Sequence, residues 1–245
     1  VCKFGYGFFD VVNYFMVKQA IYRNHTFWLL LVVYFCLMMG LEYFGGDLKL
    51  AGYIYALEGH QWLLRKHWLT NDVLHDGGRW LNYIAVLSVL VITIFFTFKH
   101  KQYSSLARAW QGLTLSLIVS FVAVSYLKSI TDIDCPWSLD LFGGDRPYLS
   151  LFANRSNSLP MAYCFPAGHA SIGYAWVALF FMFREIKPAW RYYGLGIGMG
   201  FGLLFGFSQQ LRGAHFLSHD VTTLFICLFS SYVIFKLLYP DEQTA

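Results

Sequence analysis

Charge is what this sequence has least of. Only 13% of its 245 residues are Asp, Glu, Lys or Arg, 57% are hydrophobic, and the mean hydropathy is +0.48. Soluble domains carry about a quarter charged residues. A chain this poor in charge cannot wrap a single apolar core in a wet surface, so it reads as an integral membrane protein with the lipid bilayer as its first partner. Basic clusters interleaved with aromatics are also missing, and a net charge of +4 gives no footprint for nucleic acid. Proline is sparse, at 6 residues, and no low-complexity linker divides the chain. Residues 1–245 are therefore expected to form one domain. The basic N-terminal stretch runs straight into an apolar one and is not expected to be a cleavable leader.

What is abundant is apolar sequence in long runs, at about 27–44, 80–98, 111–127, 169–183, 193–210 and 221–239. The expectation is an all-α, polytopic protein with six transmembrane helices, the shorter runs extending toward the ~20 residues that a straight span needs. Lys3, Lys18 and Arg23, then Lys99, Lys101 and Arg108, then Arg184, Lys187 and Arg191 fall on one side of that arrangement. Asp47, Glu58, Asp72, Asp76, Asp132, Asp134, Asp140 and Asp145 fall on the other. Basic loops stay cytoplasmic, so both termini are expected there and the loops 45–79 and 128–168 on the outer or periplasmic face. Within the first of these loops, Leu50, Tyr53, Ile54, Leu57, Leu64 and Trp68 recur at helical spacing, which predicts a helix lying along the interface. The stretch FGYGFFDVVNYFMV near the N-terminus is expected to do the same on the inner face. Gly194, Gly198, Gly202 and Gly206 repeat every four residues inside an apolar run, a stripe suited to close helix packing.

The polar residues that remain gather at the outer ends of these runs. Lys128 closes the third, Arg146 follows in the loop, CFPAGHAS (Cys164–Ser171) leads into the fourth, and LRGAHFLSHDV (Leu211–Val221) joins the fifth to the sixth. Convergent cations suit an anionic ligand, phosphate first. The amides of Ala167, Gly168 and His169 would open a helix toward such an anion, with His169 within reach of a leaving-group oxygen. His215 and His219, four apart, also have the spacing of a zinc pair. Lys128 and Arg212 beside them argue against a divalent ion, so no metal and no cofactor are expected. Of five cysteines, Cys36 and Cys227 fall in apolar runs as buried thiols, whereas Cys135 and Cys164 share a polar loop and can pair in an oxidising compartment. His75, Asp76 and Arg79, at the outer end of the second run, read as helix-capping and interface residues, with headgroup contact as the alternative.

Taken together these segments resemble the integral-membrane branch of the type-2 phosphatidate phosphatase and vanadium-haloperoxidase superfamily over about residues 120–235. That family carries Lys-x6-Arg-Pro, Pro-Ser-Gly-His and Ser-Arg-x5-His-x3-Asp. Here the second pattern is Pro166-Ala167-Gly168-His169. The first departs: Lys128 is followed by Cys135-Pro136, and an Arg-Pro pair comes later, at Arg146-Pro147. The resemblance thus implies that Arg146 swings back as the missing clamp and that Cys135 is free to bond Cys164. The third departs as well, with Arg212 three before His215 and His219 where Asp is usual, Asp220 being next. This variant resembles a bacterial branch, implying an inner (cytoplasmic) membrane setting. The resemblance makes His215 the nucleophile that forms a phosphohistidine. His219 or Asp220 would orient its ring, His169 would serve as general acid and base, and Lys128, Arg212, Arg146 and the backbone at Ala167 and Gly168 would bind phosphate. It implies a phosphorylated membrane lipid as substrate, at the outer face; the family's range includes phosphatidylglycerol phosphate, undecaprenyl diphosphate, phosphatidate and lipid A phosphates. The alternatives are a lipid-to-lipid phosphotransferase or an inactive lipid-binding relative.

Overall fold

The structure is a computed structural model that describes residues 25–151, 153, 156 and 159–240. Among these residues it is helical, with one isolated bridge, Leu139 to Arg146, and no strand. Eight α-helices follow in order: α1 (His25–Met38), α2 (Gly46–Leu57), α3 (Gly78–Phe98), α4 (His100–Ile130), α5 (Gly168–Tyr174), α6 (Ala178–Ile186), α7 (Arg191–Leu211) and α8 (Leu217–Leu238). The inner-face helix expected near the N-terminus lies outside the described residues.

Among the described residues, three helices are long and apolar enough to cross a membrane: Leu69–Phe98, Ser104–Ile130 and Leu217–Leu238. A fourth is added if Phe27–Tyr43 and Gly46–Leu57, which meet at a 59° bend, count as one broken span. The expected run at 193–210 forms α7, whose repeated glycines contribute little hydropathy. The run at 169–183 is divided into α5, a 3-10 turn at Ala175–Val177, and α6. The helix expected along the first outer loop covers only Gly46–Leu57. It stops because Gly59 and His60 take positive φ (72° and 57°), while their amides bond back to Ala56 O and Tyr55 O. That is a Schellman ending, which satisfies the last carbonyls and turns the chain. Leu64 and Trp68 consequently belong to separate elements.

α4, α5, the 3-10 turn at Ala175–Val177, α6 and α8 build the interior, around buried Leu113, Leu117, Tyr174, Val177, Phe181 and Phe235, with α7 packed against them. The glycine stripe sets how closely α7 meets the α5–α6 segment. A Cβ on Gly198 would sit 2.3 Å from the Val177 amide nitrogen, and one on Gly173 would sit 2.3 Å from that of Gly202. Backbone meets backbone there, with no side chain to give way. Gly198→Ala is therefore expected to destabilise the protein by about 1–3 kcal/mol, the usual cost of overpacking, whereas Gly196→Ala, which meets open space, should be near neutral. Thermal unfolding in detergent distinguishes the two. Cys227 is buried as expected, but Cys36 is exposed on α1, on a face turned away from the helical interior.

Candidate active site

The chemistry-bearing segments meet at the end of the bundle where α4 finishes, α5 begins, and α7 turns into α8. Lys128 comes from the last turn of α4. Its Nζ lies against the start of α5, 3.2 Å from where a Gly168 Cβ would be, so glycine at 168 leaves room for the ammonium. The loop after α4 is stitched to both neighbouring segments. Cys164 N donates to Ile133 O at 3.1 Å, and Ala162 N donates to Asp132 Oδ1 at 2.6 Å. A disulfide joins Cys135 to Cys164, and Trp137 N donates to Gly213 O at 2.9 Å. On the far side, Ala167 N donates to His219 O and Thr223 Oγ1 donates to Ala167 O, tying the start of α5 to the first turns of α8.

α8 is itself anchored by carboxylates from the first helical pair. Ser218 N donates to Asp47 Oδ1 at 3.0 Å, and Ser218 Oγ donates to Glu42 Oε1 at 3.0 Å. A carboxylate accepting the first amides of a helix is favourable both as a cap and against the helix dipole. This fixes the turn that carries His215.

A cavity of about 390 Å³ lies where these segments converge. It is lined by His75, Arg79, Tyr83, Lys128, Cys135, Trp137, Tyr163, Cys164, Gly168, His169, Ile172, Gln209, Ala214 and His215. Lys128, Gly168, His169 and His215, named from sequence spacing, thus share one cavity, with the Cys135–Cys164 bond in its wall. His215 is buried, and its Nδ1 lies 3.3 Å from Nδ1 of His219. Burial first, then the Lys128 charge, holds the His215 imidazole well below its ordinary value of 6.5. The ring is neutral at physiological pH.

That shift has a sign in stability. Above pH ~6.5 His215 is neutral folded and unfolded and contributes nothing. Below it, only the unfolded chain takes up the proton, so stability falls as pH drops. His215→Asn is expected to make the unfolding temperature less sensitive to acid between pH 7 and 5, a difference read by melting both proteins across that range.

The two residues weighed as partners for His215 are placed differently. His219 faces its ring. Asp220 turns the other way, accepting from Gln210 Nε2 and lying against Gly206, where a Cβ would stand 2.7 Å from Asp220 Oδ2. The arginines differ too. Arg146 does not swing into the cavity: Nη1 donates to the buried carboxylate of Asp134, whose position in the loop no motif spacing reveals. Arg212 lies behind the cavity wall, with Nε on Arg65 O at 3.1 Å, Nη1 on Gln209 Oε1 at 3.2 Å and Nη2 on Asn71 Oδ1 at 2.7 Å.

The segment Leu69–Gly77, a wide π-helical stretch continuous with α3, supplies what the motifs did not. Its first amide, Leu69 N, is taken by His67 Nδ1 at 3.3 Å, and His75, Asp76 and Arg79 do not cap its start. Instead Leu74 O meets His169 Nε2 at 3.1 Å, the His75 ring stacks on His169 with centroids 4.6 Å apart, and Arg79 reaches the cavity. The signal was present in sequence: Asn71, His75 and Arg79 recur every four residues at the end of an apolar run, one polar helical face. No group of three or more His, Cys, Asp or Glu side chains suited to a metal ion occurs among the described residues.

The cavity thus brings a lysine, three histidines and the glycine start of a helix together, donors suited to an oxyanion. The family model described as PAP2 superfamily matches residues 109–242, more than half of the chain, and the chain belongs to that superfamily. Its members are typically phosphatases acting on phosphate esters. No curated protein and no solved structure matches the chain.

Proposed function

We propose that this chain is a membrane lipid phosphatase that hydrolyses a phosphomonoester or diphosphate headgroup through a phosphohistidine, its six helical segments spanning the membrane with the cavity on the outer side. The observation that carries this reading is the meeting of Lys128, His169 and neutral His215 on one cavity at the end of helices apolar enough to cross a bilayer. With Nδ1 turned to His219, His215 attacks phosphorus through Nε2. Its Nδ1–H is donated to the His219 ring, which fixes the tautomer and accepts the positive charge that develops. The P–O bond to the lipid breaks, and protonated His169 gives its proton to the leaving oxygen. Leu74 O holds Nε2–H of His169, so Nδ1 is the nitrogen that transfers protons. Water then attacks the phosphohistidine while neutral His169 Nδ1 takes its proton, and phosphate leaves. Lys128 offsets charge on the phosphoryl oxygens throughout.

The test is a panel of phosphorylated lipids presented in mixed micelles to the purified chain in EDTA, with released inorganic phosphate measured. Release from at least one lipid is the expected result. Loss in EDTA with recovery on zinc would point to the metal pair instead. Label moving to an acceptor lipid with little free phosphate would make the protein a phosphotransferase.

A further inference from the structure

Phosphoryl transfer is catalysed chiefly by positioning and by neutralising charge on the three non-bridging oxygens. Lysine does this as a point charge; a guanidinium does it with a planar fork that grips two oxygens at once. The two arginines nearest the family's motifs have their forks turned to protein acceptors. Arg146 is held by Asp134, outside the cavity lining, and Arg212 has all three of its guanidinium nitrogens on Arg65 O, Gln209 and Asn71.

Arg79 is placed differently. It lines the cavity together with Lys128, His169 and His215. Its side chain is 43% exposed, so the guanidinium is open to an entering ligand. Only Nη2 is engaged, and only by long contacts, 3.3–3.4 Å to the His75 ring and 3.3 Å to Asp76 Oδ1. Nε and Nη1 have no hydrogen-bond partner among the described residues. The segment before it is fixed to α5 and to the turn after α7 at two points: Leu74 O on His169 Nε2, and Asn71 Oδ1 on Arg212 Nη2. This wall of the cavity comes from residues N-terminal to the 109–242 match.

We infer that Arg79 is the guanidinium that grips the phosphoryl group of the substrate, taking the place left by Cys135 in the first motif, and that His75, stacked on His169, positions it. This rests on the proposed phosphatase reading for its catalytic consequence but not for its anion-binding one. On binding, Nε and Nη1 donate to two phosphoryl oxygens, and the long contacts of Nη2 to His75 give way.

Two measurements on the purified full chain test it. The first is binding of inorganic phosphate and orthovanadate by calorimetry, which needs no turnover. Arg79→Gln is expected to weaken both by about tenfold or more, since it removes a charged bidentate contact, and Arg146→Gln should bind them as the unsubstituted protein does. The second is phosphate release from the best lipid of the panel. Arg79→Gln should lower kcat/KM by about 10²-fold, mostly in kcat, Arg79→Lys should recover part of it, and added methylguanidine should rescue Arg79→Gly. An unfolded variant is recognised by its melting curve, and Arg79→Lys then carries the comparison. Phosphate affinity within twofold of the unsubstituted protein in folded Arg79→Gln, or a tenfold loss in Arg146→Gln in its place, would overturn the assignment. Weakened phosphate binding in Arg79→Gln, in a protein that hydrolyses no lipid of the panel, would uphold Arg79 and defeat the phosphatase reading alone.

Discussion

His215→Ala is expected to lower kcat/KM for phosphate release by roughly 10⁴-fold or more, the scale on which removal of a covalent nucleophile falls. The size follows from what has no substitute in the cavity. His219 and Asp220 are buried on α8, and His169 has its Nε2 on Leu74 O. In the proposed mechanism none of them takes over in-line attack on a phosphorus held by Lys128. Truncation also removes a ring that sits buried and neutral against His219, so the fold should survive with a small packing loss, and a normal melting curve must accompany the kinetic result. A rapid quench with a ³²P-labelled substrate adds a direct reading: an acid-labile, base-stable phosphoprotein in the unsubstituted chain and none in the variant. Activity within tenfold of the unsubstituted protein would remove His215 from the nucleophile's place.

The second large effect is expected at His169. In the proposed mechanism its work is on the leaving oxygen, so the cost of losing it depends on how much that oxygen needs a proton. His169→Gln keeps a side chain able to donate to Leu74 O and should lower kcat for an alkyl phosphate by about 10²–10⁴-fold. For p-nitrophenyl phosphate, whose phenolate departs without protonation, the loss should be confined to the second step and be much smaller. Equal losses for both esters would mean that His169 acts on binding or on ring packing with His75 and Phe205 rather than as an acid.

How much of this was readable beforehand differs by residue, for physical reasons. Lys128, His169 and His215 stand at helix ends, and helix ends are marked in sequence by the switch from apolar to polar residues. Three such switches on one side predict a convergence, and the family's spacing sharpens it. The reach of Arg146 was not readable, because whether a loop guanidinium enters a cavity or folds back on a carboxylate depends on where Asp134 sits. The choice between His219 and Asp220 was equally hidden: the two are adjacent, and the helical rotation between neighbours sends one to His215 and the other to Gln210. His75 and Arg79 were visible but were given a capping role, since nothing in a one-dimensional pattern brings Leu69–Gly77 against α5. At the level of the fold, the helical composition was legible throughout. Of the six expected spans, three or four have the length and hydropathy of a crossing among the described residues, because α7 packs with glycine, which carries little hydropathy, and a 3-10 turn divides the α5–α6 run.

The disulfide bears on how firmly the pocket is held in register as well as on its shape. Cys135 and Cys164 are 29 residues apart and both border the cavity. Their bond is made where thiols are oxidised and is kept open in a reducing cytosol. While both thiols are reduced, the loop that follows Lys128 and the segment that leads to His169 are joined by no covalent clamp. Oxidation then adds a covalent tie between two walls of the pocket, so the redox state of the surroundings bears on how firmly Lys128 and His169 are held in register.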